Sequence, residues 1–455
     1  MTEIAKLTPI IKLIHKALET DQYGQAAALF LRLRPADRAD VFEYLNEDDR
    51  GSLLNHLDIA TTADLFDELD DQQTVEAAES ISVERLADVL DEMEPDEAAD
   101  LLGDLSPERA EQAITEMEEA KDVLHLLDYP DETAGGRMTT AFVSLNTLTT
   151  ADQAIQHLRQ LSPDNDVPYY LFVLDIDEKM VGVVGLRDLV IAKPHTPIHE
   201  IMDTDIISIT PLTDQEQAAR TMTHYDLSVL PVLDENSHLV GIITHDDILD
   251  VIEAEATEDI YRLASVADND LQPDSGTIEQ LRGRLPWLLL NTLTALFASW
   301  IISIFGDLFV KVAILAFFQS VVAGQGGSAA SQNVAMIVRA IALGKIENKR
   351  IIPILIKQLW VGLLQGSIIG IIIGLGVGLW QQNPYLGLIL GLALIGNMLV
   401  AAIVGTLMPL LFQAIGQDPA MTSSVLVTAA TDSLGFLIFL SLARVFLPLI
   451  LQYLA

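Results

Sequence analysis

From Leu285 onward the chain is a succession of long apolar runs, and no other feature limits its fold as strongly. A helix needs roughly 20 apolar residues to cross a bilayer. The runs fall at about 285–305, 308–343, 351–380, 385–412 and 419–452. They predict an all-α membrane domain over 276–455 with five transmembrane helices. Their length and clustering set them apart from the buried helices of a large soluble protein. Arg339, Lys345, Lys349, Arg350 and Lys357 lie in or beside the connection between the second and third runs. Basic connections stay cytoplasmic, which puts the amino-terminal domains inside and the carboxyl terminus outside a cell (inner) membrane. Arg282 and Arg284 agree with that orientation.

Charge divides at the same place. Sixty acids face seventeen bases before residue 276 and five face nine after it, formal charges of −43 and +4. The acidic region repels nucleic acid and attracts cations. Cysteine is absent, which excludes disulfides, thiolate metal sites and cysteine nucleophiles. The start, MTEIAKLTPIIKLIHKALETDQ, reads as an amphipathic helix and not as a signal peptide.

Over 25–118 an apolar residue recurs every twelve positions: Leu33, Leu45, Leu57, Leu69, Ile81, Met93, Leu105, Met117. Three before each lies another: Phe30, Phe42, Leu54, Phe66, Ala78, Leu90, Leu102, Ile114. Helix-start residues follow the marker, as in Asp70, Ser82, Glu94-Pro95 and Ser106-Pro107. Each unit is one short helix and a turn, and stacking predicts a solenoid-like, acidic N domain over 1–130.

A second repeat covers 134–256. RMTTAFVSLNTLTTADQAI aligns with IMDTDIISITPLTDQEQAA at an offset of 64, and FVLDIDEKMVGVVGLRDL with PVLDENSHLVGIITHDDI at 59. Each unit ends in strand, turn, strand, helix. GVVGLRD and GIITHDD carry the pattern that resembles a tandem pair of cystathionine-β-synthase (CBS) domains, here over 131–202 and 203–256. In that family the pattern's aspartate can hold a ribose. Asp188 and Asp247 take its place, and with Tyr170 and Arg187 they form a candidate nucleotide site, ATP being the implied ligand. Thr244 fits the pattern's hydroxyl position and Gly185 does not. Such pairs also occur without nucleotide.

Two polar stripes cross the apolar half. Ser320, Gly324, Gly327, Ser328, Ser331 and Gln332 share one face of the second span, and Ser424, Thr428, Thr431, Asp432 and Gly435 one face of the fifth. Small residues on a stripe also serve close helix packing in lipid. Asp432, the one charge between Pro419 and Ala443, argues for more. A charge at mid-bilayer costs about 2.5–3.5 kcal/mol and is usually functional. Arg444 is about 18 Å farther along the helix, so a hydrated path accounts for Asp432 better than a salt bridge. Asn397 is a further wall candidate, Pro409 a candidate kink, and Asp418 a candidate at the cytoplasmic mouth. All nine histidines lie at or before His245. The membrane half therefore offers only oxygen and amide ligands, which suit magnesium or calcium. GQGGSAASQ lacks the lysine of a phosphate-binding loop, so nothing here points to an enzyme.

The order of acidic helical repeat, CBS pair, long connecting helix with its linker over 245–275 and five spans resembles the MgtE-type magnesium channel/transporter family. EPDEAADLLGDLSPERA, YPDETAGGRMTT, LDVIEAEATEDIYRLA, GQGGSAASQNVAMIVRAIALG and DPAMTSSVLVTAATDSLGFLIFLSLA carry the likeness. It implies a homodimer with a central pore, Mg2+ as permeant ion, and closure by cytosolic Mg2+. By family motif the regulatory ligands are Asp214, Glu216, Asp226, Asp246, Asp247, Asp250, Glu255, Glu258 and Asp259, with Asp91 and Glu94 added from the helical repeat. Two other readings stand beside this one. They are a secondary transporter of Mg2+ or another hard divalent ion such as Mn2+ or Co2+, and a nucleotide-sensing membrane scaffold.

Overall fold

The computed structural model describes residues 4–161, 170–267, 271, 273, 275–346, 351–421 and 424–453. It forms two compact units, Met1–Ile252 and Glu253–Ala455.

The first unit opens with short helices: α1 (Ile4–Glu19), α2 (Tyr23–Phe30), α3 (Pro35–Glu43), α4 (Glu47–Leu54), α5 (Ile59–Asp67), α6 (Asp71–Ser80), α7 (Val83–Leu90), α8 (Pro95–Asp104), α9 (Pro107–Glu116) and α10 (Ala120–Leu124). The twelve-residue period is visible in their caps. Asn46, Asp58, Asp70 and Ser82 accept from the backbone N–H three residues on, while Pro35, Pro95 and Pro107 start α3, α8 and α9. Phe30, Phe42, Leu54, Phe66, Ala78, Leu90 and Leu102 are all buried. The packing unit, however, is two helices. α3 lies on α5, α5 on α7 and α7 on α9, while α4 lies on α6 and α6 on α8. Successive helices thus alternate between two rows, a pattern that a period of twelve cannot reveal. Arginines secure the rows at a spacing of 24. Arg85 donates to the Leu54 and Leu57 carbonyls at 2.8 and 2.7 Å, and Arg109 to those of Ala78 and Ile81 at 2.7 and 2.6 Å.

The CBS-like part holds β1 (Ser144–Asn146), α11 (Ala151–Gln160), β2 (Tyr170–Leu174), β3 (Met180–Gly185), α12 (Leu186–Ile191), α13 (Gln215–Tyr225), β4 (Val229–Leu233) and β5 (Leu239–Thr244). The hairpin β2–β3 pairs Tyr170 with Gly185, and β4–β5 pairs Val229 with Thr244, each with its bulge at the same place. The sequence offset of 59 is therefore a structural equivalence. The offset of 64 is one too: Thr139 bridges Ile242 just as Asp203 bridges Val183. The segment before each unit thus pairs with a hairpin strand, Thr139 with the second unit's and Asp203 with the first's. This explains the pattern's first glycine, since a Cβ at Gly241 would lie 2.6 Å from Met138 Sδ, and one at Gly182 2.7 Å from Met202 Sδ. The second CBS unit shares one continuous core with the helical rows, whereas the first has its own around Leu171, Val173, Val184 and Leu189.

Helix α14 (His245–Leu263) carries the chain into the second unit. There follow α15 (Thr277–Ser303), α16 (Gly306–Lys311), α17 (Leu315–Ala342), α18 (Ile351–Trp380), α19 (Pro384–Ala414), α20 (Ser424–Val445) and α21 (Leu447–Leu451). Among the described residues, four helices are long and apolar enough to cross a membrane: α15, α18, α19 and the greater part of α20. α17 is long enough, with 28 residues, but its stripe of small and polar residues lowers its apolarity. α18 and α19 pack most intimately because glycines at Gly362, Gly366, Gly370 and Gly374 form a ridge without side chains. A Cβ at Gly370 would lie 2.7 Å from the Gly391 carbonyl.

Candidate functional site

α17 and α20 pack against each other, and an open cavity of about 440 Å³ lies between their polar stripes. Its lining is Ala323, Gly324, Gly327, Ser328 and Ser331 from α17, and Thr428 and Asp432 from α20. Thr428 and Asp432 are one helical turn apart and so share an edge of α20. Asp432 is half-buried, and among the described residues no cation pairs with it. Arg444 instead sits over the Phe305 ring, 5.9 Å from its centroid. A carboxylate, hydroxyls and helix backbone around one open space can bind a hydrated cation through its water shell.

The other expected members of the stripe have different places. Thr431 is fully buried, and its hydroxyl donates back to the Val427 and Thr428 carbonyls at 3.2 and 3.0 Å. Gln332 is exposed outside the cavity, and the side chain of Ser424 lies outside the described residues. Gly435 faces α19, where its bare surface admits Asn397; a Cβ there would lie 2.7 Å from the amide nitrogen. Asn397 itself is 1% exposed and donates to the Val322 carbonyl at 2.8 Å. It is a tie behind the cavity wall, not part of its lining. Among the described residues its Oδ1 has no hydrogen-bond partner.

Asp418 precedes a short 3-10 turn over Pro419–Met421 and accepts from the Ala420 N–H at 2.8 Å. Its other oxygen pairs with Arg262 of α14, which also pairs with Glu258. The sequence signals the pair with Glu258 alone: Arg262 is the one base in LDVIEAEATEDIYRLA and stands four residues after Glu258.

Of the acids expected to bind regulatory metal, several are engaged locally. Asp91 accepts from the Glu118 and Glu119 N–H groups at 2.8 and 3.0 Å, ahead of α10. Asp214 caps α13, Glu216 pairs with Arg220, and Asp226 ends α13 with a left-handed backbone at φ 55°. Asp247 accepts from the Thr244 N–H at 3.1 Å and from its hydroxyl at 2.5 Å. Glu94 is the residue before α8, and Asp246, Asp250, Glu255 and Asp259 lie along α14. Among the described residues no three His, Asp or Glu side chains converge closely enough to hold a metal ion.

The structure instead brings forward acids that the sequence did not single out. Asp96, at the start of α8, is 7% exposed, and among the described residues its Oδ1 has no partner. Burial, then Asp247, then Glu94 push its carboxyl up to about 8. Burial and Asp96 raise Glu97 to about 8; burial and Glu94 raise Asp67 to about 7. Asp100 is raised to about 6 by burial, against the pull of Arg137 at 3.0 Å. Asp247 is itself raised by burial. The period of twelve conceals the cluster, because Glu84 and Glu108 occupy the places equivalent to Asp96 and are ordinary surface acids.

At the candidate nucleotide site, Asp188 folds back toward Gly185, so that a Cβ on that glycine would lie 3.2 Å from Oδ2 and 3.8 Å from Tyr170. Arg187 is exposed beside them. In the second CBS unit the equivalent carboxylate, Asp247, is taken up by Thr244.

Comparison with known proteins agrees with this arrangement. The MgtE intracellular N domain model matches residues 33–132, the CBS domain model 134–195 and 198–254, and the MgtE divalent cation transporter model 319–442. The chain is similar to the magnesium transporter MgtE of Thermus thermophilus, 37% identical over 72% of either chain, and to that of Enterococcus faecalis, 35% identical over 72% of either. Among solved structures, the soluble part of a magnesium transporter is 35% identical with a TM-score of 0.52, covering 55% of this chain and 99% of its own. The cytosolic domain of the Mg2+ channel MgtE in complex with ATP is 31% identical with a TM-score of 0.50, covering 52% and 98%. With its domain models in the same order as its own helical rows, CBS-like pair and apolar helices, the chain belongs to the MgtE family of magnesium transporters.

Proposed function

We propose that this protein conducts Mg2+ into the cell through a path built on the α17–α20 cavity, and that cytosolic Mg2+ bound to its acidic domains closes the path. The observation that carries this is the cavity itself: it joins the half-buried Asp432 and Thr428 to the Gly–Ser face of α17. α17 serves as the fifth span. Its polar stripe faces the path, which explains its reduced apolarity. One carboxylate is a sparse site for a divalent ion, so two protomers contribute an Asp432 each across a two-fold axis. The amino-terminal domains lie in the cytoplasm and the carboxyl terminus outside.

Closure uses the acids of the first unit. Asp67, Glu94, Asp96, Glu97, Asp100 and Asp247 repel one another or hold protons where α8 and the second CBS unit share a core. A divalent ion among them neutralises several carboxylates at once and favours the compact state. Tyr170, Arg187 and Asp188 offer an ATP a ring face, a guanidinium and a ribose acceptor, in keeping with the ATP complex of a relative.

The test is Mg2+ uptake into vesicles reconstituted with the full chain. Asp432→Asn is expected to lower the flux at least tenfold, while the Mg2+ concentration that halves it is unchanged. Full flux with unchanged selectivity would refute the path.

A further inference from the structure

Arg262 occupies a position that the transport reading does not explain. It stands in the last turn of α14, one residue before Leu263, which packs against the cluster of Ala330, Val334, Ala401 and Ala420. Its guanidinium joins Glu258, on its own helix, to Asp418, which precedes α20. Arg262 and Asp418 are each 30% exposed and Glu258 14%, so the group is partly withdrawn from water. Pairs in such positions count for more than exposed ones, and removing one partner leaves charge that water does not fully screen. The three groups together carry a net charge of −1.

We propose that Arg262 is a tethered cation that latches the end of α14 to the Asp418 turn without metal, in the place where a divalent ion would otherwise bridge Glu258 and Asp418. The reading rests on the proposed closure by Mg2+. Chemistry supports the substitution. Two carboxylates offer −2 and hold a divalent ion well. With a guanidinium between them they offer −1, and the ion must displace a pre-organised, charge-assisted pair. The latch therefore holds this junction even where Mg2+ is scarce, and it reserves metal-dependent control for the acids of the first unit.

Hydrogen exchange on the full chain in lipid nanodiscs, with and without Mg2+, tests it. In the unaltered protein the amides of residues 256–266 are expected to be equally protected in both conditions. Arg262→Gln should exchange about tenfold faster without Mg2+, equivalent to about 1.4 kcal/mol. It should regain protection with Mg2+, because Glu258 and Asp418 are then open to the ion. Arg262→Gln with Asp418→Asn should stay fast in both conditions. The reversed pair, Arg262→Asp with Asp418→Arg, should restore protection, which a misfolded variant would not. Exchange in Arg262→Gln that matches the unaltered protein without Mg2+, or that Mg2+ fails to slow, overturns the latch. Flux measured in parallel separates the two readings. Flux indifferent to cytosolic Mg2+ would remove the gate, while the exchange pattern above would still uphold the latch.

Discussion

Replacing Asp96 by Asn probes the acidic cluster directly. The substitution keeps shape and an acceptor for Thr139 but removes an ionisable group from a residue that is only 7% exposed. Raising the carboxyl from 3.8 to about 8 means that the folded protein binds an extra proton across that window. Stability is therefore undiminished below the lower value, falls as pH rises between the two, and is fully reduced above the upper one. At about 1.4 kcal/mol per tenfold change in proton affinity, the cost above pH 8 is at most roughly 6 kcal/mol. Relaxation and water entry reduce such costs, so about 2–3 kcal/mol is expected. Glu97 cannot be added to this, since part of its own shift comes from the Asp96 charge. For a unit of this size the gain in Asp96→Asn is a Tm increase of about 5–10 °C near pH 9 and close to none near pH 4. Scanning calorimetry is the assay, because Trp287, Trp300, Trp360 and Trp380 all lie in the second unit and fluorescence would not report on the first. Adding Mg2+ near pH 9 should raise the Tm of the unaltered protein more than that of the variant. Equal Tm values at both pH extremes, with equal Mg2+ increments, would refute the reasoning.

Two further changes test the packing. Arg109→Ala leaves the Ala78 and Ile81 carbonyls without their donor and should cost about 2–3 kcal/mol, read as a lower first transition in calorimetry; an unchanged transition would remove the 24-residue tie. Gly370→Ala places a Cβ 2.7 Å from the Gly391 carbonyl, and the α18–α19 pair should lose about 1–3 kcal/mol, read as a lower Tm by tryptophan fluorescence in detergent.

Local regularities were legible in the sequence because they repeat in it. The twelve-residue caps and markers became helices α2 to α9, and the offsets of 59 and 64 became equivalent registers in the two hairpins. The long apolar runs became helices, the second of them broken between α16 and α17, and among the described residues four helices are apolar enough by themselves to span a membrane. The family, too, was readable from motifs alone.

What the sequence could not decide is which side of each helix meets which neighbour. Ser328, Thr431 and Gln332 lie on stripes drawn with the same periodicity. Packing puts the first in the cavity wall, buries the second and leaves the third outside. Asn397 was readable as polar and intramembrane, but only the close approach of Gly435 makes it a tie rather than a wall. Asp96 looks like Glu84 and Glu108 in the repeat, and its altered proton affinity comes from the shared core that buries it. Periodicity determines the residues that share a face of one element. Burial, desolvation and pairing depend on residues far apart in the chain, such as Arg262 paired with Asp418 or Asp96 within the field of Asp247, and those relations exist only once the elements have packed.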